Sequence, residues 1–172
     1  MILEQNLLPK GSLNRPGTKL QSKKAVVLHY VGNPNTTPAA NINFWRNRKD
    51  YGSAHAVIGI DGKTQLAIPW DEVAYHAGTS GRQVIGGVIF LNNVNNHSVG
   101  LELCHKTWTS GYTTETMESL GCNLFLLREL GFEYLFVHGE ITGKECDFWF
   151  RTNKDALNEL ALKFGYKRPA FK

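Results

Sequence analysis

Three residues of this sequence, His29, His138 and Cys146, are of the types that bind a transition metal. Two imidazoles and one thiolate are preferred ligands of zinc, and they leave a fourth tetrahedral position for water. That open arrangement is typical of a catalytic zinc site, whereas a closed structural site needs a fourth protein ligand. Spacing alone leaves an ordinary alternative open, because a lone strand-end histidine is usually a satisfied polar residue and a lone cysteine usually packs in the core.

The elements that hold these residues must bring distant parts of the chain together. Residues 25–31 form a continuous apolar run with β-branched side chains, which predicts a strand buried on both faces with His29 near its end. Residues 134–137 predict a second buried strand, followed directly by His138. If both strands are central neighbours, the two imidazoles converge at one edge of the sheet, and Cys146 lies in a loop that can fold back.

The rest of the chain predicts strands and helices around this pair. Thr37 followed by Pro38 is typical of a helix N-terminus, and Asp61-Gly62 between two strand-like runs indicates a hairpin. Further strands are expected at 55–60, 63–68 and 98–103, and helices at 38–49, at 114–130 and from a cap at 152 or 153 to 164. These elements predict an α/β fold: a mixed central β-sheet flanked by helices, with the zinc site at one edge of the sheet.

The length and the cysteine content of the chain limit how many domains and disulfides it can contain. Its 172 residues suit one domain with a substantial core, spanning 1–172. Within it we expect an irregular N-terminal arm at 1–23, a loop-rich stretch at 69–96 and a linker stub at 166–172. Three widely spaced cysteines make a poor disulfide framework, so reduced thiols are expected and one can serve as a metal ligand.

The formal net charge is +4 and the isoelectric point is about 9.0. Such a surplus favours anionic partners such as nucleic acid or an acidic cell wall. Ordinary solubility explains it equally well, because like charges do not form a block of five. The charge therefore does not choose among functions by itself.

Five short motifs around these residues follow the order of one protein family. They are Val27-Leu28-His29-Tyr30, the hairpin from His55 to Gly62, Tyr75-His76-Ala77-Gly78, the 98–103 strand Ser-Val-Gly-Leu-Glu-Leu, and His138 followed by Lys144-Glu145-Cys146. Over roughly residues 24–150, the sequence resembles the type 2 N-acetylmuramoyl-L-alanine amidases. That family includes phage lysins, bacterial cell-wall recycling amidases and the related peptidoglycan recognition proteins.

The resemblance implies a zinc ion (Zn2+) held by His29, His138 and Cys146, and it favours two catalytic assignments. Glu102 is predicted to take a proton from water and pass it to the leaving amine. Lys144 is predicted to stabilise the oxyanion of the tetrahedral intermediate. The ordinary alternatives are an exposed glutamate on a half-solvated sheet and a solvated loop lysine.

Further expectations concern the remaining histidines, cysteines and tryptophans. His55 is expected to orient the substrate or to support the ligands from outside, and His76 to line the substrate groove. One or two of the four tryptophans are expected to contact a sugar ring. The surface is expected to hold His97 and His105, and the core Cys104 and Cys122.

Two positions depart from the family pattern. Asp147 follows the last ligand where the family usually has proline, which concerns loop geometry rather than zinc binding. Ala54 precedes the hairpin histidine where some relatives place a catalytic tyrosine. A tyrosine-assisted mechanism therefore does not carry over to this chain, and the role of Glu102 gains importance.

The resemblance implies an enzyme that hydrolyses the amide between N-acetylmuramic acid and L-alanine in bacterial peptidoglycan, as a phage endolysin. Since no signal peptide or membrane span is evident, we expect a monomer made in the host cytoplasm that acts on the wall after release, without nucleic-acid or membrane partners. Three alternatives stay open: a non-catalytic peptidoglycan-binding module, a cytosolic recycling amidase, and a cysteine hydrolase that uses Cys146 and resists chelators. A nucleic-acid binder has only the charge in its favour.

Overall fold

The structure, a computed structural model, describes residues 3–171. The strands are β1 (Leu3–Gln5), β2 (Ala25–Tyr30), β3 (Ala56–Ile58), β4 (Thr64–Leu66), β5 (Gln83–Ile85), β6 (Val88–Phe90), β7 (Ser98–Leu103) and β8 (Tyr134–Val137). The α-helices are α1 (Pro38–Asn47), α2 (Thr114–Glu129), α3 (His138–Thr142), α4 (Phe148–Thr152) and α5 (Lys154–Lys163), and a 3₁₀ helix spans Val94–His97.

Six strands form one mixed sheet in the order β1-β4-β3-β7-β2-β8, which confirms the predicted fold class. The β3–β4 hairpin is antiparallel, as its Asp-Gly turn predicts, and the other four strand pairs are parallel. Parallel neighbours present their carboxyl ends at the same edge of the sheet, so the residues that follow β2, β7 and β8 come together there. Strands β5 and β6 form a separate antiparallel hairpin in the stretch predicted as loop.

Strand β2 is buried on both faces, as its apolar run predicts. Val26 and Leu28 belong to a core cluster with α2 and α5, whereas Ala25 and Val27 pack in a second cluster with the β5–β6 hairpin. Strand β8 differs from its prediction, because it is the last strand of the described sheet: β2 is its one strand neighbour, and Tyr134 adds an isolated bridge to Lys167. The two strands are still neighbours, which is the condition for bringing His29 and His138 together.

The three predicted helices are present as α1, α2 and α5, with ends within two residues of those expected. Helix α1 begins as expected, because the Thr37 side chain accepts a hydrogen bond from the Ala40 N–H at 3.2 Å. Helices α3 and α4 were not predicted, since five residues are too few to show a helical period. No helix within residues 3–171 is long and apolar enough to cross a bilayer.

The N-terminal arm is more ordered than predicted. Strand β1 extends the sheet by pairing with β4, and the Arg15 guanidinium forms a buried ion pair with Glu72. Arg15 also donates to the Leu8 carbonyl at 2.8 Å. The arm is therefore tied to the domain by backbone pairing at its start and by a charged cluster further along.

Residues 166–169, part of the expected linker stub, pack against the domain. Tyr166 is buried, and its hydroxyl donates to the Leu124 carbonyl at 2.7 Å. The Leu135 N–H donates to the Lys167 carbonyl at 3.1 Å, next to the edge strand β8. Arg168 forms an ion pair with Glu140 in α3. This segment thus braces the element that begins with His138.

Candidate metal centre and its surrounding cavity

The three predicted ligands meet at the carboxyl edge of the sheet. His29 lies near the end of β2, His138 opens α3 directly after β8, and Cys146 lies between α3 and α4. The Nδ1 atoms of His29 and His138 are 3.1 Å apart, and the Cys146 Sγ is 3.8 Å from His29 Nδ1. Ligand pairs on a tetrahedral zinc are separated by about 3.3 Å between nitrogens and about 3.6 Å between nitrogen and sulfur. The observed spacing fits such an ion.

The electrostatics of the three side chains also fit a cation. Burial, with smaller contributions from His76 and His138, lowers the pKa of His29 well below its ordinary value. Burial lowers the pKa of His138 to about 4, and it raises the pKa of the Cys146 thiol. Both imidazoles are therefore neutral ligands, and a thiolate at this position requires a positive charge beside it. His138 Nε2 is buried without a hydrogen-bond partner among residues 3–171.

Glu102 lies on β7 directly opposite His29 in the parallel pairing of β7 with β2. One of its carboxylate oxygens, Oε2, is buried and has no hydrogen-bond partner in the described part of the chain. Burial raises the pKa of Glu102 to about 8, and the charge of Asp147 adds to the effect. A carboxyl with a pKa near neutrality and a free oxygen has the properties of a general base, so the predicted role remains available to it.

A cavity of about 430 Å³ opens beside the ligands and is lined by Glu102 and Lys144 as well as by the trio. Lys144 is exposed and lies in the loop between His138 and Cys146. Sequence analysis missed one cation and two aromatic rings that also line this cavity. They are Arg48, Tyr51 and Tyr75. Arg48 follows α1 and donates to the Asp50 carboxylate at 2.8 Å, so its only sequence signal is its position at a helix end.

The two further histidines of the prediction have different surroundings from those expected. His55 is fully buried: its Nε2 is 2.8 Å from the Glu72 carbonyl, and its Nδ1 accepts from the Gly100 N–H at 3.0 Å. Both ring nitrogens thus contact the backbone, which favours the supporting role expected of His55 over a substrate contact. His76 lines the cavity but is nearly buried, and its Nδ1 is 3.1 Å from His29 Nε2.

Four expectations about burial have mixed outcomes. His97 and His105, expected at the surface, are both buried. His97 bonds the Ser22 hydroxyl at 2.7 Å, and His105 Nε2 lies 3.0 Å from the Val31 carbonyl, so local polar partners compensate their burial. The cysteine expectation is correct for Cys104, which is buried, and wrong for Cys122, which is exposed on α2. Of the tryptophans, Trp45 lines the cavity.

Asp147 has a larger structural role than its sequence position indicates. Its buried carboxylate accepts from the Trp149 N–H at 3.0 Å, which caps α4, and from the Tyr112 hydroxyl. Burial raises the pKa of Asp147 to about 6. Aspartate is a preferred N-cap residue, a signal that could have been read from the sequence. The residue where the family usually has proline thus shapes the loop after Cys146.

Comparison with known proteins gives one consistent result. The family model described as N-acetylmuramoyl-L-alanine amidase matches residues 19–153. The chain is 32% identical over 157 residues to the N-acetylmuramoyl-L-alanine amidase BlyA of Bacillus subtilis, covering 84% of this chain and 42% of that protein. A probable N-acetylmuramoyl-L-alanine amidase of Bacillus licheniformis is 29% identical over 148 residues, covering 82% of this chain and 41% of that protein.

Among solved structures, the catalytic domain of XlyA superposes with a TM-score of 0.71 at 22% identity, covering 96% of this chain and 100% of that domain. At this identity the likeness concerns the fold. The chain spans about 42% of the length of BlyA, so it corresponds to only part of such a protein.

Proposed function

The chain belongs to the N-acetylmuramoyl-L-alanine amidase family, and from that premise we propose that it hydrolyses the amide between N-acetylmuramic acid and L-alanine in bacterial peptidoglycan. The observation that carries the proposal is the meeting of three zinc-type ligands in one cavity with a carboxylate, that of Glu102, whose buried Oε2 has no hydrogen-bond partner among residues 3–171. A glycosidase instead needs two carboxylates across the sugar ring. Among the described residues, Glu102 is the one carboxylate lining this cavity.

His29, His138 and Cys146 would hold the zinc ion, which supplies the Lewis acidity that polarises a carbonyl and makes water more acidic. Glu102 accepts a proton from the attacking water and returns it to the leaving amine. Its raised pKa suits both steps, because the same group must gain and lose a proton near neutral pH. The Lys144 ammonium lines the same cavity, where a cation stabilises negative charge on the carbonyl oxygen.

We further propose that the chain acts as a phage endolysin, with peptidoglycan as its partner after release from the host. The support comes from family membership and from the complete ligand set, which a module that only binds peptidoglycan does not need. A basic net charge of +4 suits an anionic wall.

Digestion of purified peptidoglycan tests the bond that is cut. We expect new alanine amino termini while the glycan strands stay long, and loss of this activity on treatment with a chelator. New reducing sugar ends without free alanine would mean that the enzyme is a glycosidase. New amino termini on other residues would make it an endopeptidase.

Metal analysis tests the ligands. We expect one zinc per chain in the natural protein and sharply reduced zinc in His29→Ala and Cys146→Ser, because each change removes one of three ligands. Cys122→Ser is the matched control, since Cys122 is exposed on α2 and far from the trio in sequence. Full zinc occupancy in both ligand variants would show that the ion is held elsewhere.

A further inference from the structure

We propose that His76 is a positioning residue for the metal centre: it orients the ring of His29 and fixes which nitrogen of that ring faces the metal. This inference rests on the proposed function, because it concerns the same zinc site. The starting observation is the 3.1 Å separation between His76 Nδ1 and His29 Nε2, deep in the protein. A hydrogen bond between these atoms links His29 Nε2, the ring nitrogen that points away from His138 and Cys146, to the buried imidazole of His76.

The direction of this hydrogen bond follows from a chain of donors and acceptors that begins at Ser98. The Ser98 hydroxyl donates its single proton to the Val94 carbonyl at 2.8 Å. Ser98 Oγ and the Ser98 carbonyl lie 3.3 Å and 3.4 Å from His76 Nε2, and both can then only accept. His76 Nε2 therefore carries the hydrogen, which leaves His76 Nδ1 as an acceptor.

The consequence reaches the ligand. An acceptor at His76 Nδ1 requires that His29 donates from Nε2, and a neutral imidazole that is protonated at Nε2 has its lone pair on Nδ1. His29 Nδ1 is the atom that faces His138 Nδ1 and the Cys146 sulfur. His76 thus selects the tautomer of His29 that can bind a metal ion. Hydrogen bonds to the second nitrogen of metal-binding imidazoles usually have this effect.

The fold holds His76 in place from three sides. The Asn95 side chain accepts from the N–H groups of His76 and Ala77 at 3.1 and 2.7 Å, which fixes the loop. The ring lies over Gly100 in β7, where an added Cβ would come within 2.7 Å of His76 Cγ. Gly100 therefore leaves the space that the ring occupies, and Ser98, two residues earlier on the same strand, provides its acceptors.

The test compares His76→Phe with His76→Asn. Phenylalanine keeps a ring but removes the acceptor, whereas asparagine can place an amide oxygen near the former Nδ1 position. We expect His76→Phe to weaken zinc binding by roughly 10–100-fold in a competition with a chromophoric chelator. His76→Asn should recover most of that loss. The absorption spectrum of the Co2+-loaded protein should shift in His76→Phe and stay close to that of the natural protein in His76→Asn.

Gly100→Ala provides a second, independent variant, because its methyl group displaces the ring without removing a polar atom. It should also weaken zinc binding and alter the cobalt spectrum. Thermal melting of each metal-free variant separates positioning from general destabilisation, and we expect His76→Phe and His76→Asn to melt alike without metal.

Unchanged zinc affinity in His76→Phe, or equal losses in His76→Phe and His76→Asn, would overturn the proposal. The proposed function is tested separately, since these measurements need no substrate. A protein that binds zinc in the expected His76-dependent way but cuts no muramoyl amide would support the positioning role and disprove the amidase assignment.

Discussion

Two glutamates, the buried Glu72 and the partly buried Glu102, have opposite environments in this protein. Glu72 receives two hydrogen bonds from the Arg15 guanidinium, at 2.8 and 3.1 Å, and this pairing lowers its pKa. Glu102 has a buried oxygen without a partner among residues 3–171, and burial raises its pKa to about 8. Glu72 thus fastens the arm to the domain, whereas Glu102 has the unpartnered oxygen that the proposed proton transfer requires.

His55 joins these two regions. One ring nitrogen lies 2.8 Å from the Glu72 carbonyl, and the other accepts from the N–H of Gly100, two residues before Glu102 on β7. Burial lowers the pKa of His55 to about 4, so the ring is neutral and both contacts are compatible with one tautomer. His55 thus connects the two regions through backbone contacts alone. The different roles of the Glu72 and Glu102 carboxylates can be tested by substituting each of them.

The largest expected effect is on catalysis at Glu102. Glu102→Gln conserves shape but cannot accept a proton, so turnover of peptidoglycan should fall by about 10²–10⁴-fold. Zinc content and the melting temperature should change little, because the amide has the size of the carboxyl and, like the protonated form that burial favours, carries no charge. Turnover, metal analysis and thermal melting of the same preparation check this. Near-normal turnover would mean that Glu102 has a structural role, as Glu72 has, and not a catalytic one.

The matched substitution Glu72→Gln should affect stability instead. It leaves the buried Arg15 without its charge partner, which typically costs about 3 kcal/mol and lowers the melting temperature by roughly 6–12 °C for a chain of this size. Activity per folded molecule should change little, since Glu72 does not line the cavity. Denaturant unfolding and turnover below the transition measure the two quantities. A large loss of activity with unchanged stability would reverse the roles of the two glutamates.

A smaller effect should appear in the pH dependence of stability. Pairing with Arg15 lowers the pKa of Glu72 below its ordinary value of 4.5, so the folded state favours the ionised form. The resulting stabilisation is present above that pH and is lost as the pH falls through the lower, folded-state pKa. The difference in unfolding free energy between the natural protein and Glu72→Gln should therefore shrink below about pH 4.5. Denaturant unfolding of both metal-free proteins, measured between pH 6 and 3, gives this difference. If the difference in unfolding free energy stayed constant over that range, the ion pair would be excluded as its source.

The sequence predicts the long and strongly patterned elements well. Strands β7 and β8 have the expected bounds: β8 is a continuous apolar run, and β7 alternates Val99, Leu101 and Leu103 with smaller or polar residues. Strand β1 has no such signal: Glu4 and Gln5 are exposed, and the strand exists through backbone pairing with β4. The edge position of β8 was also not predictable, since hydrophobicity does not distinguish an edge strand covered by other elements from a central one.

The site divides in the same way. The order of the motifs predicts His29, His138 and Cys146 as metal ligands, and the structure brings these three side chains together. The partners of His76 could not be foreseen from spacing, because its hydrogen bond to His29 depends on a parallel sheet and on a loop anchored elsewhere. The burial of His97 is unexpected for a related reason: one of its two side-chain partners, Ser22, is 75 residues away in the sequence, although the other, Asn92, is near.

The wide separation of the ligands along the chain has a consequence for folding. His29 is 109 residues from His138 and 117 residues from Cys146, and the strands that unite them pair in parallel. Such non-local contacts form late and slowly, so a complete coordination shell appears only when the chain is nearly native. A metal ion that binds this shell therefore stabilises the folded state selectively, by about 2.7 kcal/mol at a free concentration one hundred times its dissociation constant. If the proposed site binds zinc, the free zinc concentration would therefore contribute to the resistance of the protein to unfolding.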